Sequence, residues 1–188
     1  ALLGSAGVAI GLAVQGSLSN MAGGVLILLL KPFKIGDYII DSVGNEGTVD
    51  EIHVIYTRLR TADNKVIILP NGTLANNSIT NVSTSNIRRC DLQIGIAYDA
   101  DIKLAKETML DVITQDEATL KDKDLLVFVD TLGDSSIIMG VRCWFNNNDF
   151  WTGKWRITEE IKYALDEAGI EIPFQQMDVH IDGKIENK

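Results

Sequence analysis

The sequence predicts a membrane-anchored protein in which an apolar helical segment precedes a small β-domain and an α/β domain. The first thirty residues contain no charged side chain. Short β-branched runs separated by turn dipeptides follow over 31–85, and alternating strand-like and helix-like runs follow over 86–177. A last strand-like run with its tail occupies 178–188. We take these four ranges, beginning with 1–30, as the predicted domains.

The charge balance limits the class of partner. The 188 residues include 26 acidic and 17 basic side chains, for a net charge of −9. Such a surface argues against sequence-independent binding to nucleic-acid phosphates. Cys90 and Cys143 are too few for a disulfide framework and lack metal-ligand spacing, which favours a reducing compartment. The chain begins at Ala1 without an initiator methionine or a basic n-region, so we expect a fragment and no secretory signal peptide.

The apolar N-terminal segment predicts a transmembrane helix that breaks near its middle. A straight helix of thirty residues is about 45 Å long, whereas the hydrocarbon core of a bilayer is about 30 Å thick. A break at Gln15-Gly16-Ser17 lets the first half cross the membrane and the second half lie along its inner surface. Lys31 and Lys34 follow at once, as basic residues do on a cytoplasmic face, so we expect them at the membrane interface. A buried hairpin of soluble helices is the alternative.

Small residues occupy two different faces of this helix. The glycine face is Gly4, Gly7 and Gly11, and the alanine face is Ala6, Ala9 and Ala13. Small residues permit close helix contact in membranes, so the glycine face of one copy can meet the alanine face of the next and close a ring. Val8 and Leu12 would then form two apolar girdles inside the ring. The alternative is ordinary packing within one subunit's own helix bundle.

Residues 31–85 predict a small twisted β-domain. The runs "DYIID", "EGTVDEIHVIYTRLRT" and "KVIILPN" are rich in β-branched residues. Gly44-Asn45, Asp63-Asn64 and Asn71-Gly72 bound them as turns. Arg58 and Arg60 alternate onto one strand face. RNA binding is one interpretation of that pair, and solvated or interfacial arginines are the interpretation we favour on this acidic chain.

Residues 86–177 alternate strands and helices. The strands are "CDLQIGIAY", "LLVFVDTL" and "SSIIMGVRCWF". Asp99 or Asp101 is expected to cap the first helix. Its buried face comprises Ile102, Ala105, Met109, Val112 and Ile113. The second helix presents Trp151, Trp155, Ile161, Leu165 and Ala168 and ends at Gly169. The tail "MDVHIDG" predicts a last strand.

Several longer motifs make the whole chain similar to a known family. From "GLAVQGSLSNMAGGVLILLLKPFKIGDYI" through "RTADNKVIILPNG", "IGIAYDADI" and "AGIEIPFQQMDVHI", the sequence resembles the mechanosensitive channel of small conductance (MscS) family. The resemblance implies a homoheptamer with an axial pore, a hollow cytoplasmic vestibule and further transmembrane helices before this segment. The implied fold is a membrane channel: a pore-lining helix with a kinked interfacial helix, an Sm-like β-domain, an α/β domain and a strand for an axial β-barrel.

The resemblance also assigns roles to residues of the helix. It places Val8 and Leu12 at the two pore constrictions, Gly16 at the kink and Gly24 at a second flexible point. The family pattern has leucine at both constrictions. Because Val8 is smaller, the family does not define the radius of the closed pore in this chain. In the family the interfacial helix packs near the Pro-Asn-Gly turn of the β-domain. Asn20 is therefore expected to form a latch by hydrogen-bonding to Asn71 or Gly72.

Residues that suggest enzyme or metal chemistry have simpler interpretations. His53 and His180 lie far apart and in no metal-ligand pattern. Asp99 with Asp101 is better explained by helix capping than by acid–base catalysis. Cys143 beside Trp144 indicates core packing. Trp144, Trp151 and Trp155 are compatible with a carbohydrate or base platform, and core and subunit-interface packing is preferred. We expect no catalytic site and no cofactor.

Two functions from different classes follow from these observations. The leading one is a tension-gated channel in a bacterial or archaeal plasma membrane, with residues after about 30 in the cytoplasm. Its partners would be the lipid bilayer, copies of itself, and permeating ions and small osmolytes released on hypoosmotic shock. The alternative is a membrane-anchored cytoplasmic scaffold or sensor without a conducting pore.

Overall fold

The computed structural model describes residues 2–180. The chain divides into two compact units, residues 1–85 and residues 86–188. The first unit contains the long N-terminal helix and a five-stranded sheet, and the second contains a three-stranded sheet with two helices.

The N-terminal segment forms a single α-helix, α1 (Leu2–Leu30). Within it, Gly7–Leu30 is long and apolar enough to cross a bilayer. The helix is not interrupted at Gln15-Gly16-Ser17, where the sequence predicts a break. One interior glycine costs a helix only about 1 kcal/mol, which the remaining backbone hydrogen bonds can offset. A kink at Gly16 that preserves those bonds stays a prediction.

The first unit is built on an antiparallel sheet of order β4-β3-β2-β1-β5. Its elements are β1 (Tyr38–Asp41), β2 (Glu46–Ile52), β3 (Tyr56–Arg60), β4 (Val66–Pro70), α2 (Asn71–Asn76) and β5 (Ile79–Asn81). The predicted turns Gly44-Asn45 and Asp63-Asn64 lie between strands, where Gly44 and Asn64 adopt positive φ. The third predicted turn is wrong, because Asn71-Gly72 begins the helix α2. Asp41 closes its turn by accepting hydrogen bonds from the backbone of Val43 and Asn45.

The core of the first unit includes a residue from the helix. Its buried cluster is Ile27, Phe33, Ile39, Val49, Leu59, Leu69 and Leu74. Because Ile27 belongs to α1, the C-terminal half of that helix is part of the folded unit. Among the described residues of the N-terminal half, none belongs to this cluster.

The second unit packs two helices on an antiparallel sheet of order β6-β8-β7. Its elements are β6 (Ile87–Ile96), α3 (Ile102–Gln115), β7 (Leu126–Leu132), β8 (Ile137–Asn146), a 3-10 turn (Asn147–Asp149) and α4 (Phe150–Glu167). Asp101 caps α3 by accepting hydrogen bonds from the backbone of Lys103 and Leu104. Gly169, at φ 71°, follows the end of α4, as its position in the sequence predicts.

Two tryptophans of α4 lie outside the core of this chain. Trp151 and Trp155 are exposed, whereas Phe150, Ile157, Ile161 and Leu165 supply the buried face. Core packing is therefore wrong for these two, because they lie on a different side of α4 from its buried residues. Packing at a subunit interface stays a prediction. Cys143 is buried as expected and faces the buried Cys90 across β6 and β8.

The C-terminal segment has no regular structure within the described residues. No helix or strand is assigned over 171–180, and Phe174, Met177 and Val179 are exposed. Of the predicted last strand, 177–183, the structure describes 177–180, which form no strand, and the other three residues lie outside the described residues. A strand also needs a paired neighbour, which a single chain does not provide here.

Candidate functional site

The N-terminal half of α1 is bare apolar surface. Val8 and Leu12 are 65% and 66% exposed, and Ile10 and Val14 are exposed beside them. Apart from the adjoining residues and helix backbone, no atom of the described residues would lie within 4 Å of a Cβ added at Gly4, Gly7, Gly11 or Gly16. Ala9 and Ala13 are exposed as well, and the side chain of Ala6 lies outside the described residues. The described side chains up to Ala13 are thus exposed, whereas Val14 lines an apolar pocket with Val54 and Ile55 of the β-domain.

The C-terminal half of α1 approaches the β-domain through two adjacent glycines. A Cβ at Gly23 would lie 2.6 Å from the carbonyl oxygen of Asn71. A Cβ at Gly24 would lie 1.9 Å from the carbonyl oxygen of Val54 and 2.6 Å from Nδ2 of Asn71. No other residue fits at this close approach. Sequence reasoning gave Gly24 a hinge role and missed Gly23, and the adjacent Gly-Gly pair was the available signal.

Asn20 bonds to the start of α2, one helical turn before these glycines. Its Oδ1 accepts a hydrogen bond from the Gly72 N–H at 3.0 Å. A Cβ at Gly72 would lie 2.9 Å from that oxygen and 2.9 Å from Oγ of Ser19. Gly72 therefore lets the backbone of α2 meet the side chains of α1 directly. The contact joins Asn20 to Gly72, while the latch role of Asn20, Asn71 and Gly72 stays a proposal.

Asn71 organises the surface on which α1 rests. Its side chain is fully buried. Its Oδ1 accepts from the Thr57 hydroxyl at 2.8 Å, and its Nδ2 donates to the His53 carbonyl at 2.8 Å. Its backbone N–H donates to the Ile55 carbonyl at 3.0 Å. We call Val54, Asn71 and Gly72 the docking platform.

Thr57 supports the docking platform from inside the sheet. It is fully buried on β3, and the hydroxyl bond fixes which end of the Asn71 amide faces His53. Sequence reasoning did not single out Thr57. A threonine in a strand is common, and only the folded chain brings it to an asparagine fourteen positions away.

The helix ends in a left-handed cap at Lys31, and a second lysine, Lys34, lies in the loop that follows. Lys31 has φ 49°, and its N–H donates to the Ile27 carbonyl at 2.9 Å. The Lys34 N–H donates to Asp37 Oδ2 at 2.9 Å. Neither lysine side chain makes an ion pair within residues 2–180.

The arginines of β3 are neutralised within their own sheet. Asp50 Oδ2 lies 2.9 Å from Arg58 Nη2 and 2.7 Å from Arg60 Nη2. Arg58 also contacts Glu51 at 3.2 Å. Paired arginines attract phosphates weakly, which disfavours RNA binding at this face. Among residues 2–180, no group of three His, Cys, Asp or Glu side chains could hold a metal ion.

Comparison with known proteins gives one consistent result. The family model "Mechanosensitive ion channel, beta-domain" matches residues 16–84, and "Mechanosensitive ion channel MscS, C-terminal" matches residues 90–172. The chain is 46% identical over 177 residues to a small-conductance mechanosensitive channel of Edwardsiella ictaluri, covering 94% of this chain and 62% of that protein. A Helicobacter pylori channel of the same description is 36% identical over 188 residues, covering 100% of this chain and 68% of that protein.

A solved structure shares this architecture. The crystal structure of Helicobacter pylori MscS in its closed state matches with a TM-score of 0.92 and 36% identity. The match covers 97% of this chain and 72% of that one. The chain thus spans about three fifths of the length of the first curated relatives it matches, at 62% and 59%.

Proposed function

Because the chain belongs to the MscS family of mechanosensitive ion channels, we propose that it forms a pore opened by membrane tension. Open channels would release ions and small solutes when a cell swells in dilute medium. Copies of the chain would assemble around the pore axis, as a heptamer by resemblance to the family. The residues after α1 would lie in the cytoplasm of a bacterial or archaeal cell.

The observation that carries this proposal is the bare N-terminal half of α1. A helix with exposed valine, leucine and isoleucine and with four uncovered glycines needs lipid or other copies of itself to cover it. Its glycine and alanine faces suit a head-to-tail contact between neighbouring helices. The N-terminal half of α1 is accordingly the proposed pore lining.

Val8 and Leu12 are the proposed constriction. They lie four residues apart and therefore one helical turn apart on the same face. A ring of such side chains excludes ions by dewetting and needs no plug. The proposed lumen carries no charged residue, so weak ion selectivity is expected.

Membrane tension would act on the channel through the area that each of its states occupies in the bilayer. A stretched bilayer favours the state with the larger cross-section, and outward tilt of the ring helices would part the Val8 and Leu12 girdles. The docking platform would transmit that movement, since Asn20, Gly23 and Gly24 bind α1 to it. The kink at Gly16 would separate the moving half of α1 from the docked half.

Osmotic downshock tests the proposal in cells that lack their own mechanosensitive channels. Expression of the channel should raise survival well above that of cells with an empty vector. Survival equal to the vector control, with the protein verified in the membrane, would instead favour a scaffold or sensor without a pore.

A further inference from the structure

The two cysteines of the chain meet across two strands of the second unit. Cys90 of β6 lies directly opposite Cys143 of β8 in the antiparallel register. Side chains of such a pair point to the same face of the sheet, and their Cα atoms lie about 4.5–5.5 Å apart. Disulfide bonds join Cα atoms about 4.4–6.8 Å apart. The backbone therefore holds the two sulfur atoms where a disulfide bond can form without a large movement of the strands.

Both cysteines are free thiols, and a hydrogen bond joins them. The Cys143 thiol donates to the Cys90 sulfur. Both side chains lie in the core cluster between the sheet and its helices. Two thiols held together in this way are the reduced form of a dithiol–disulfide couple.

Cys90 has the more acidic thiol of the two. The hydrogen bond from Cys143 lowers the pKa of Cys90, and the positive charges of Lys154 and Arg88 lower it further. These effects outweigh burial and the charge of Asp91, which raise it. The hydrogen bond to Cys90 and burial raise the pKa of Cys143. Because the thiolate is the reactive form of cysteine, Cys90 is the sulfur that reacts first.

The position of the pair selects a small oxidant. Cys90 and Cys143 are 1% and 0% exposed, so the folded chain keeps bulky or charged reagents away from both sulfur atoms. β6 is an edge strand of its sheet, and a local opening there costs less than unfolding the whole unit. Hydrogen peroxide is small and uncharged and can enter through such an opening. In a reducing compartment, a disulfide formed in this way is transient and redox-sensing.

We propose that Cys90 and Cys143 are a peroxide-sensitive pair that forms a reversible disulfide bond within the second unit. The Cys90 thiolate attacks one oxygen of hydrogen peroxide, the O–O bond breaks, and the leaving hydroxide takes up a proton to give water. Cys90 is then a sulfenic acid. The Cys143 sulfur attacks the Cys90 sulfur, the S–O bond breaks, and the departing hydroxide takes the Cys143 proton as a second water. The two thiols lose two electrons, and the peroxide gains them.

The disulfide bond would tie β6 to β8 and close the long loop 90–143. Such a cross-link restricts the unfolded chain and so stabilises the folded one. We expect oxidation to raise the thermal midpoint of the protein by roughly 5–15 °C. The inference does not depend on the proposed pore, because both cysteines and their neighbours belong to the second unit.

Peptide mass spectrometry of the whole channel in detergent tests the proposal. The protein is treated with hydrogen peroxide, quenched with catalase, alkylated with N-ethylmaleimide in denaturant and digested. We expect a peptide pair linked through Cys90 and Cys143, full recovery of both thiols with dithiothreitol, and a single-chain band on a non-reducing denaturing gel. Absence of the linked pair at peroxide doses that oxidise the exposed Met177 would overturn the proposal, as would disulfide bonds formed only between copies.

Two serine variants identify the sulfur that reacts first. In Cys143→Ser the new hydroxyl still donates to Cys90, and dimedone should trap Cys90 as a sulfenic acid. In Cys90→Ser, dimedone should label Cys143 far less, because Cys143 stays buried away from the oxidant. Equal labelling in the two variants would contradict the role of Cys90 as the attacking sulfur.

The thermal midpoint measures the consequence of the disulfide bond, with Cys90→Ser as the matched control. Peroxide should raise the midpoint of the wild type and leave that of the variant without a comparable increase. The variant keeps the same four methionines, so any effect of methionine oxidation is common to both proteins. An equal change in both midpoints would show that no stabilising bond joins Cys90 to Cys143.

Discussion

At the scale of single residues, Asn71 connects the sheet to the helix. Its side chain joins Thr57 and His53 within the β-domain, and its backbone faces Gly23 of α1. A buried amide of this kind is stabilising only while each of its polar atoms is bonded. The docking platform therefore depends on Thr57, which lies on β3.

Thr57→Val tests this dependence. The change keeps the shape of the side chain and leaves Asn71 Oδ1 without its hydroxyl donor, which costs about 1–3 kcal/mol for a buried acceptor. We expect a lower thermal midpoint for the channel in detergent. Thr57→Ser retains the hydroxyl and should recover most of the loss. A valine variant that is as stable as the wild type would show that the Thr57 bond does not support the platform.

Gly24→Ala tests the close approach of α1. The added Cβ would lie 1.9 Å from the Val54 carbonyl oxygen, so the helix must move off the docking platform. We expect a clearly lower thermal midpoint. The matched control is Gly16→Ala, where the added Cβ meets open space and helix propensity improves by about 1 kcal/mol. Equal stability of the two variants would contradict the docked position of Gly24.

Asp116 and Arg156 make a pH-dependent contribution to the folding stability of the second unit. The Asp116 carboxylate is buried and accepts from Arg156 Nε at 2.6 Å, from two backbone N–H groups and from the Thr119 hydroxyl. Burial alone raises the pKa of Asp116, but Arg156 and these hydrogen bonds outweigh it and hold the pKa below its ordinary value. Because the folded pKa is depressed, the stability is present above the unfolded pKa of about 3.9 and is lost as pH falls through the folded value.

Asp116→Asn measures that contribution. We expect the variant to be less stable than the wild type by about 1–3 kcal/mol at pH 7, and the difference to shrink below about pH 4. Asp122→Asn removes an exposed carboxylate paired with Lys123 at 3.3 Å and should have little effect. A difference between wild type and Asp116→Asn that stays constant down to pH 2 would exclude the ionised pair as its source. Denaturant melts over this pH range give the measurement.

At the scale of elements, α1 has two halves with different environments. The N-terminal half carries exposed apolar residues and uncovered glycines, and the C-terminal half carries glycines that contact the docking platform. The same residue type therefore serves two purposes. In the first half it is proposed to leave room for another helix, and in the second it admits the backbone of its own β-domain.

Gly11→Val tests the first of these purposes. Added methyl groups would hold neighbouring helices apart, because the glycine face is proposed to contact the alanine face of the next copy. We expect poorer assembly in blue native gels or a higher opening tension. Wild-type assembly together with wild-type tension would mean that Gly11 faces lipid.

The elements differ in how far the sequence could predict them. Turn dipeptides and β-branched runs predict the strands, and Gly169 predicts the end of α4, because these signals are local. The TM-score of 0.92 to Helicobacter pylori MscS confirms the fold class. The roles of Gly23 and Thr57 depend on contacts with residues distant in sequence, which no periodicity reveals. Trp151 and Trp155 are exposed. Sequence alone could not predict this, because residue type does not show which apolar side chains the rest of the chain covers.

At the scale of the whole molecule, an uncovered helix half continues into a half that is docked on a folded β-domain. The exposed apolar half of α1 requires other copies or lipid, and the docking platform fixes the other half to the β-domain. Several copies around an axis would place Val8 and Leu12 at its narrowest point. Tension on the bilayer would then act on the same helix that closes the pore.

The unitary current through Leu12→Cys channels in liposome patches tests this central claim most directly. Suction should evoke stepwise currents, and a cationic methanethiosulfonate reagent applied to open channels should reduce each step. The native Cys90 and Cys143 are buried, so wild-type current should be unchanged by the reagent. Val14→Cys, on the opposite side of the helix, should react without a comparable reduction. Absence of stepwise current at any suction, or full current through labelled Leu12→Cys channels, would contradict the assignment of this helix to the pore.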